Sequence, residues 1–366
     1  MKPVSNRSLS RTLHRSLLSA LVVLGMAAIP GKELLAAGAP AAETGQSQPV
    51  RSSSRTPLHK AIENGEVDVA LQLVGAGQDI TTPDGFGLVP LHFAVIQQSL
   101  PLVEALLQHG AEADARDLRG DTALHMIAAN QGSSEVTRLL LKQGAKPDIQ
   151  NRTGQTPLHW VASEGNLELA GLLLAAHADV NIRDESGDTP LQWAAEGGHD
   201  KMVALLVQNR ADPNLANHLG RTPLFWAARA GDIPMAEYLF AMKAKVDVRS
   251  TAGDTPLHWA SGEGHAAMVK FLIRWASDVN PTAEYSETPL HWAAMRGQEE
   301  VTRILLAHGA NLDAKDKTGN TPLALAKQKG HEAVMKLLAA QENGFKVARK
   351  GATPLRVAVN TPAVER

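Results

Sequence analysis

Six histidines stand at the same place in a short sequence motif that the chain repeats, called the phrase below. They are the chain's clearest candidates for catalysis or metal binding. They are His59, His92, His125, His159, His258 and His291. Imidazole is a common zinc ligand and general base, but either role needs several groups held close to one centre. Consecutive copies of the phrase begin 33 or 34 residues apart, so each histidine belongs to a separate structural unit. We therefore expect these histidines to stabilise the fold, and we predict no metal site.

No other pattern in the sequence predicts catalysis. The sequence lacks a Ser/His/Asp order, a phosphate-binding glycine loop, a dinucleotide-binding glycine motif and a His-Glu-x-x-His zinc motif. It also contains no cysteine, which excludes disulfides and a lipidated cysteine. We predict that the protein is not an enzyme and needs no cofactor.

Five tryptophans form a second regular pattern, each 33 residues after the last: Trp160, Trp193, Trp226, Trp259 and Trp292. On a helix that buries Leu224, Ala227 and Ala228, Trp226 lies beside the buried stripe, so its indole should be partly exposed. A row of rigid aromatic side chains suits a binding surface, but core packing also explains an apolar residue at this position. Both interpretations are open at this point.

The repeated phrase is Thr-Pro-Leu, followed in most copies by His, and its nine copies cover most of the chain. They begin at Thr56, Val89, Thr122, Thr156, Thr189, Thr222, Thr255, Thr288 and Thr321. Thr is a favourable helix N-cap, Pro fits the first helical position, and Leu begins an apolar stripe. Each copy therefore predicts the start of a helix. The longer interval after Thr122 holds one extra residue, which we place in a loop at residues 131–134.

A second helix and a turn complete each unit. Glycines such as Gly165 and Gly297 favour the left-handed conformation that ends a helix. Apolar residues then recur at a spacing of three and four, for example Leu169, Leu172 and Leu173, which is typical of one buried helix face. Asp-x-x-Gly sequences between the units indicate turns.

From about residue 56 to residue 341 this pattern resembles the ankyrin repeat, with Asp-x-x-Gly-x-Thr-Pro-Leu-His openings and Leu-Leu-x-x-Gly-Ala closings. The resemblance implies an all-α repeat solenoid of about nine units, in which helix pairs alternate with hairpin fingers. It also implies that the histidine of the phrase bonds to the helix cap and to neighbouring backbone. His199 and His265, after glycines that end first helices, inherit a similar structural role.

The resemblance further implies that a protein partner binds to the concave face and the finger tips, around the fourth to eighth repeats. The partner-binding candidates on these surfaces are Trp160, Trp193, Trp226, Trp259, Trp292, Tyr285, Arg221 and Glu185. Two alternatives remain: an accessory or inhibitory subunit of an envelope enzyme, and a binder of glycans or small ligands that stack on the indoles. The fold does not identify the partner.

Some units depart from the pattern. The glycine expected after the second helix is replaced by His177, Arg210, Lys243 and Ala276. In a left-handed conformation each replacement costs about 1 kcal/mol relative to Gly, which cations partly recover at the helix C-terminus. The eighth finger, residues 283–286, lacks both Asp and Gly, so we expect a different shape with Tyr285 at its tip. Trp275 occupies a position that other repeats fill with polar residues, so we expect its side chain to be exposed to solvent.

Charge and the N-terminal composition bear on partners and location. The net charge of −2 indicates no nucleic-acid partner, and we expect a monomer. Three arginines at positions 7, 11 and 15 precede an apolar run at residues 17–29, which is shorter than the ~20 residues of a membrane span. We predict a signal peptide at residues 1–39, a flexible linker at residues 40–55 and a periplasmic or secreted protein. An uncleaved membrane anchor and a mitochondrial transit peptide are the alternatives.

The remaining boundaries follow from the repeats. We assign the repeat domain to residues 56–341 and a half repeat or tail to residues 342–366, where Thr353-Pro354-Leu355 resembles the phrase once more.

Overall fold

The computed structural model describes residues 55–276 and 278–351, with side chains described up to residue 341. The predicted signal peptide, the linker up to Ser54 and the phrase at Thr353 lie outside these residues. All regular secondary structure in the described part is α-helical.

Eighteen helices in this part of the chain form nine pairs, one pair for each predicted repeat. The first helices are α1 Pro57–Glu63, α3 Pro90–Ile96, α5 Ala123–Ala129, α7 Pro157–Glu164, α9 Pro190–Glu196, α11 Pro223–Ala230, α13 Pro256–Glu263, α15 Pro289–Arg296 and α17 Pro322–Lys329. The second helices are α2 Val67–Gly75, α4 Leu100–Gln108, α6 Ser134–Lys142, α8 Leu167–Ala175, α10 Asp200–Gln208, α12 Ile233–Ala241, α14 Ala266–Trp275, α16 Glu299–Ala307 and α18 Glu332–Gly351. The predicted fold class and the number of repeats are thus confirmed.

The chain divides into two compact units at Ala211 and Asp212. Among the described residues, the first unit holds α1 to α10 and the second holds α11 to α18. Inside each unit the first helices of consecutive repeats pack against one another, and so do the second helices. Each repeat therefore depends on its neighbours for the burial of its apolar face.

The apolar stripes are buried largely as predicted. Leu224, Ala227 and Ala228 of α11 are fully buried. In α8 the buried residues are Leu169, Ala170 and Leu173, whereas Leu172 is only half-buried, so the predicted position was wrong there. Ala170 lies one helical turn before Leu173 and completes the buried face instead.

Three of the four residues that replace a closing glycine take the left-handed conformation: His177, Arg210 and Lys243 have φ of 64°, 71° and 67°. Ala276 differs, with φ −92° and ψ 142°. Its helix α14 has 10 residues, whereas α12 and α16 have 9. The longer helix and an extended exit avoid the steric conflict of an alanine side chain with left-handed backbone.

The eighth finger keeps the shape of its neighbours, so the expectation of a different shape was wrong. Ser286 has φ 60° and donates its N–H to Ala283 O at 2.9 Å. Gly253 donates to Ser250 O in the same way, also at 2.9 Å, in the seventh finger. The turn depends on backbone bonds and on one left-handed residue, and a serine takes that conformation at a cost of about 1 kcal/mol.

Two further features concern the connections. The extra residue lies between α5 and α6, where Ser133 caps α6 by accepting from the N–H groups of Glu135 and Val136, as the predicted loop requires.

The last helix, α18, continues to Gly351, so the domain boundary placed after Gln341 lies within a helix. None of the helices in the described residues is both long enough and apolar enough to span a membrane.

Candidate partner-binding surface

The histidines of the phrase are buried and use both ring nitrogens for the fold. The cap residue of each first helix donates its backbone N–H to Nδ1, for example Thr156 to His159 at 3.0 Å. The other nitrogen, Nε2, lies 3.2 Å from the carbonyl oxygen of Asp188, 29 residues further along the chain. The same pair of contacts recurs at His59, His92, His125, His258 and His291.

This geometry fixes the protonation state of each ring. Because Nδ1 accepts from a backbone N–H, the neutral ring carries its hydrogen on Nε2, which donates to the carbonyl. Burial lowers the pKa of His125, His159 and His258 to about 4, since desolvation disfavours the charged ring. The backbone contact at Nε2 acts in the opposite direction but does not compensate. The structural role predicted for these histidines is confirmed.

A second set of histidines closes the contact between consecutive repeats. Nε2 of His199 lies 2.9 Å from Ser163 O, and Nε2 of His265 lies 2.9 Å from Arg229 O. Each ring also fills the space beside a closing glycine: a Cβ atom on Gly231 would lie 2.6 Å from the His265 ring. In the described residues, no group of three His, Asp or Glu side chains could hold a metal ion.

The five tryptophans differ in exposure. Trp193 and Trp259 are buried, at 5% and 8% exposure, whereas Trp160, Trp226 and Trp292 are half-buried. The expected partial exposure is therefore wrong for Trp193 and Trp259. Their indole N–H groups donate to carboxylates, which holds both rings against the chain. Trp193 donates to Asp184 at 3.1 Å, and Trp259 donates to Asp254.

The ring faces mostly meet another ring of the same unit. All five tryptophans form edge-to-face pairs, either with the aromatic residue of the phrase one repeat earlier or with the neighbouring indole. These pairs are His125 with Trp160, His159 with Trp193, Phe225 and Trp226 with Trp259, and His258 with Trp292, with centroids 5.4 to 6.3 Å apart. These contacts support the packing interpretation. Partner binding by the tryptophans stays a prediction.

At Trp160 and Trp259 the residue five positions earlier in the sequence accepts the indole N–H. Gln155 Oε1 accepts from Trp160 at 2.7 Å, and Asp254 accepts from Trp259. In the sixth repeat this residue is Arg221, which offers only donors. Accordingly, Nε1 of Trp226 is buried without a hydrogen-bond partner among the described residues.

Two arginines of the sixth repeat lie on the tryptophans. The guanidinium carbons of Arg221 and Arg229 lie 4.8 and 5.6 Å from the centroid of the Trp259 ring. Arg229 is also 6.0 Å from the centroid of Trp226. Stacked guanidinium groups of this kind are held by the ring quadrupole. Arg221 was predicted as a contact residue from its position, and the part played by Arg229 was missed.

Several finger tips expose large apolar side chains. Tyr285 is 57% exposed at its tip, as the sequence predicted, and Glu185 is also exposed. Sequence reasoning missed Phe86, Leu118 and Leu219, which are 63%, 56% and 44% exposed. The signal was present in the sequence, because each of the three stands directly before a finger glycine or one residue earlier.

Neighbouring fingers are joined through their backbones. The N–H of Leu118 donates to Phe86 O at 3.0 Å, and the N–H of Lys317 donates to Tyr285 O at 2.8 Å. These bonds place the exposed side chains of adjacent fingers on a regular framework inside each unit. Trp275 is exposed as predicted, at 46%, and its ring lies 4.4 Å from that of Phe240.

The repeats match known sequences. The family profile described as "Ankyrin repeats (3 copies)" matches in overlapping segments from residue 59 to residue 316. "NF-kappa-B inhibitor alpha" of Gallus gallus is 35% identical over 98 residues, 26% of this chain and 30% of the relative.

Two other relatives show the same limited coverage. "RelA-associated inhibitor" of Mus musculus is 34% identical over 115 residues, 31% of this chain and 14% of the relative. "Putative palmitoyltransferase ZDHHC13" of Danio rerio is 42% identical over 76 residues, 21% of this chain and 12% of the relative. The chain thus spans less than a third of each of the three. With the nine helix pairs and a family match over more than half of its length, the chain belongs to the ankyrin repeat family.

Proposed function

We propose that this protein is a binding scaffold that engages a protein partner through its finger tips and the adjoining first helices. One observation carries the proposal: fingers in both units present large apolar side chains to solvent, 44% to 63% exposed. Phe86, Leu219 and Tyr285 share one position of the finger, and Leu118 stands one residue earlier. Single exposed apolar residues are common on proteins, but their recurrence at the tips of several fingers is typical of an interaction site. Ankyrin repeat proteins are generally non-catalytic scaffolds, and we propose that this chain is likewise not an enzyme.

We further propose that the scaffold acts outside the cytoplasm. The support is the N-terminal sequence alone, in which three arginines precede the apolar run at residues 17–29. A reporter enzyme that is active only after export, fused behind residue 366 of the full chain, is expected to be active in cells that express the fusion. A fusion active only in the cytoplasm would contradict this location.

Finger variants of the full chain test the binding function. We expect affinity capture with mild crosslinking to recover one stoichiometric protein from envelope extract. Leu219→Ser together with Tyr285→Ser removes two exposed apolar tips of the second unit and should abolish recovery. Met242→Ser is the matched control, since Met242 is 42% exposed and lies outside the fingers. Recovery unchanged by the finger variant, or no specific protein at all, would contradict the proposal.

An inhibitory role is a second candidate function. Two of the relatives are inhibitors by name, although the chain covers at most 30% of either. This candidate predicts that the captured protein is an envelope enzyme whose activity changes on addition of the scaffold. The glycan-binding alternative stays a prediction for the half-buried Trp160 and Trp292, whereas at Trp259 two arginines occupy the ring on which a sugar would stack.

A further inference from the structure

The sixth repeat departs from its neighbours at three positions that surround Trp226. Arg221 replaces the acid or amide found five residues before the other tryptophans, Phe225 replaces the histidine of the phrase, and Arg229 stands at the end of α11. The fifth repeat has Asp188, Gln192 and Glu196 at these positions, so both charges are reversed between the two repeats.

The replacements leave donors without acceptors. Nε1 of Trp226 is buried and has no hydrogen-bond partner in the described chain, and the same holds for the hydroxyl of Thr222 beside Phe225. A buried polar group without a partner destabilises the fold, so such groups are expected where another requirement decides the residue types. The chemistry that is missing here is a hydrogen-bond acceptor.

The arginines are fixed in place before any ligand arrives. Both guanidinium groups contact the Trp259 ring, which is itself tied to Asp254. His265 anchors the backbone of Arg229 through its carbonyl oxygen, and Gly231 ends the helix in the left-handed conformation with φ 70°. Less side-chain freedom is therefore lost on binding than for a mobile arginine.

Arg229 also has unused capacity for hydrogen bonds. It is half-buried and makes no ion pair with any residue that the structure describes. By contrast, Arg296 at the end of α15 pairs with Glu263 at 2.8 Å. A stacked guanidinium presents its N–H groups at its edge, and two parallel N–H groups match the two oxygens of a carboxylate.

We propose that Arg221, Trp226, Arg229 and Trp259, the sixth-repeat cluster, bind a carboxylate side chain in an acidic segment of the protein partner. Arg229 and Arg221 contact the carboxylate, and Trp259 is the positioning residue that holds both guanidinium groups. The inference rests on the proposed function and specifies the chemistry of the partner. With a net charge of −2, the chain lacks the broad positive field that nucleic acid requires, which favours a local carboxylate contact.

The test uses the full chain and a fluorescently labelled short polyglutamate peptide, with the matching polyglutamine peptide as the probe control. We expect anisotropy titrations to show binding of polyglutamate only, weakened about tenfold or more by Arg229→Gln. Arg274→Gln is the matched control protein. Its guanidinium carbon lies 5.2 Å from the Trp275 centroid, so the variant removes an equivalent stacked cation outside the cluster. Circular dichroism confirms that both variants are folded.

Three results would overturn the inference. Equal weakening by Arg229→Gln and Arg274→Gln would show general attraction to anions. Polyglutamate that does not bind, or binds independently of Arg229, would remove the cluster as the site. Competition by polygalacturonate as effective as that by unlabelled polyglutamate would assign the site to an acidic polysaccharide.

The outcome is separable from the proposed function. If Arg229→Gln still captures the partner at full yield while the finger variant does not, the scaffold function stands and the carboxylate inference fails. If polyglutamate binds through Arg229 but no protein is captured, the cluster stands and the scaffold function fails.

Discussion

The two units differ in how completely their buried polar groups are satisfied. In the described residues of the first unit, no buried side-chain nitrogen or oxygen lacks a hydrogen-bond partner. In the second unit the hydroxyls of Thr222 and Ser261 and the indole of Trp226 lack one. Both units use the same repeat, so the fold does not require these orphan groups. On the proposed binding by the sixth-repeat cluster, the second unit gives up some stability in exchange for surface chemistry.

Acidification should separate the two units most strongly. The histidines of the phrase, here called the cap histidines, have lowered pKa values in the folded state. Four of them lie in the first unit, His59, His92, His125 and His159, and two lie in the second, His258 and His291. Between about pH 4 and 6.5 the unfolded state binds more protons, so the free energy of unfolding falls as the pH falls through this window. For a pKa of about 4, the loss at pH 5 is about 2 kcal/mol per histidine.

One buried carboxyl group in each unit acts in the opposite direction. Burial raises the pKa of Asp121 to about 6 and also raises that of Glu287. Each carboxyl group protonates more easily in the folded state, so it stabilises its unit as the pH falls. Because each unit has one such group, the two effects are similar, and the difference between the units comes from the number of histidines. Hydrogen exchange at pH 7 and pH 5, corrected for intrinsic rates, should show the greater loss of protection in residues 55–211. Equal losses in both units would contradict the comparison.

Placing the sixth-repeat aromatic residue in the first unit should have the next largest effect. His159→Phe leaves the cap N–H of Thr156 without its acceptor and removes one of the two donors to the carbonyl of Asp188, which also accepts from the N–H of Asp184. The expected cost is about 2 kcal/mol. Urea unfolding followed by tryptophan fluorescence measures the change. The reverse replacement, Phe225→His, offers Thr222 an acceptor and should not destabilise. Wild-type stability of His159→Phe would show that the cap bond is dispensable.

An exchange of the residue before the cap tests the indole contact directly. Arg221→Gln supplies the acceptor that Gln155 provides for Trp160, so it should stabilise the second unit by about 1 kcal/mol. Gln155→Arg should destabilise the first unit by a similar amount. Thermal unfolding of both variants provides the measurement. If Arg221→Gln raised stability without weakening polyglutamate binding, the proposed exchange of stability for binding would be wrong.

The smallest effect concerns the eighth finger. Ser286→Gly relieves a left-handed serine with φ 60° and should raise the free energy of unfolding by about 0.5–1 kcal/mol. Ser286→Ala is the control, because it keeps the Cβ atom and should bring no gain. Chemical unfolding of the two variants side by side will decide. If both variants were more stable than the wild type, the gain would come from loss of the hydroxyl group and not from relief of the backbone.

Much of the fold could be predicted because its determinants are local. The cap threonine, the proline after it and the closing glycines act within a few residues of one another, and their period predicted the helix pairs. Lys243 keeps the left-handed backbone of the glycine it replaces, but the equivalent Ala276 is extended, so position alone does not decide this conformation. The eighth finger was mispredicted because backbone bonds, which do not depend on residue type, hold its shape.

The candidate surface was less predictable because it depends on contacts between repeats. Helical periodicity gave the side of the helix on which Trp259 lies, but not the arginines that cover its ring. The orphan indole of Trp226 follows from Arg221 only after Gln155 and Trp160 show which residue accepts. Once the residue that accepts from the indole is known, the replacement of that acceptor by Arg221 can be recognised in the sequence.

The histidine link between repeats has a consequence for how such a protein evolves. Nε2 of each cap histidine meets a main-chain carbonyl in the following repeat, such as His258 with Glu287 O at 3.1 Å. Every residue type offers that carbonyl, so a duplicated or transplanted repeat finds the same partner without compensating mutations. Point mutations in a single first helix or just before its cap, such as those that give Arg229 and Arg221, can then diversify recognition while the backbone links between repeats stay intact.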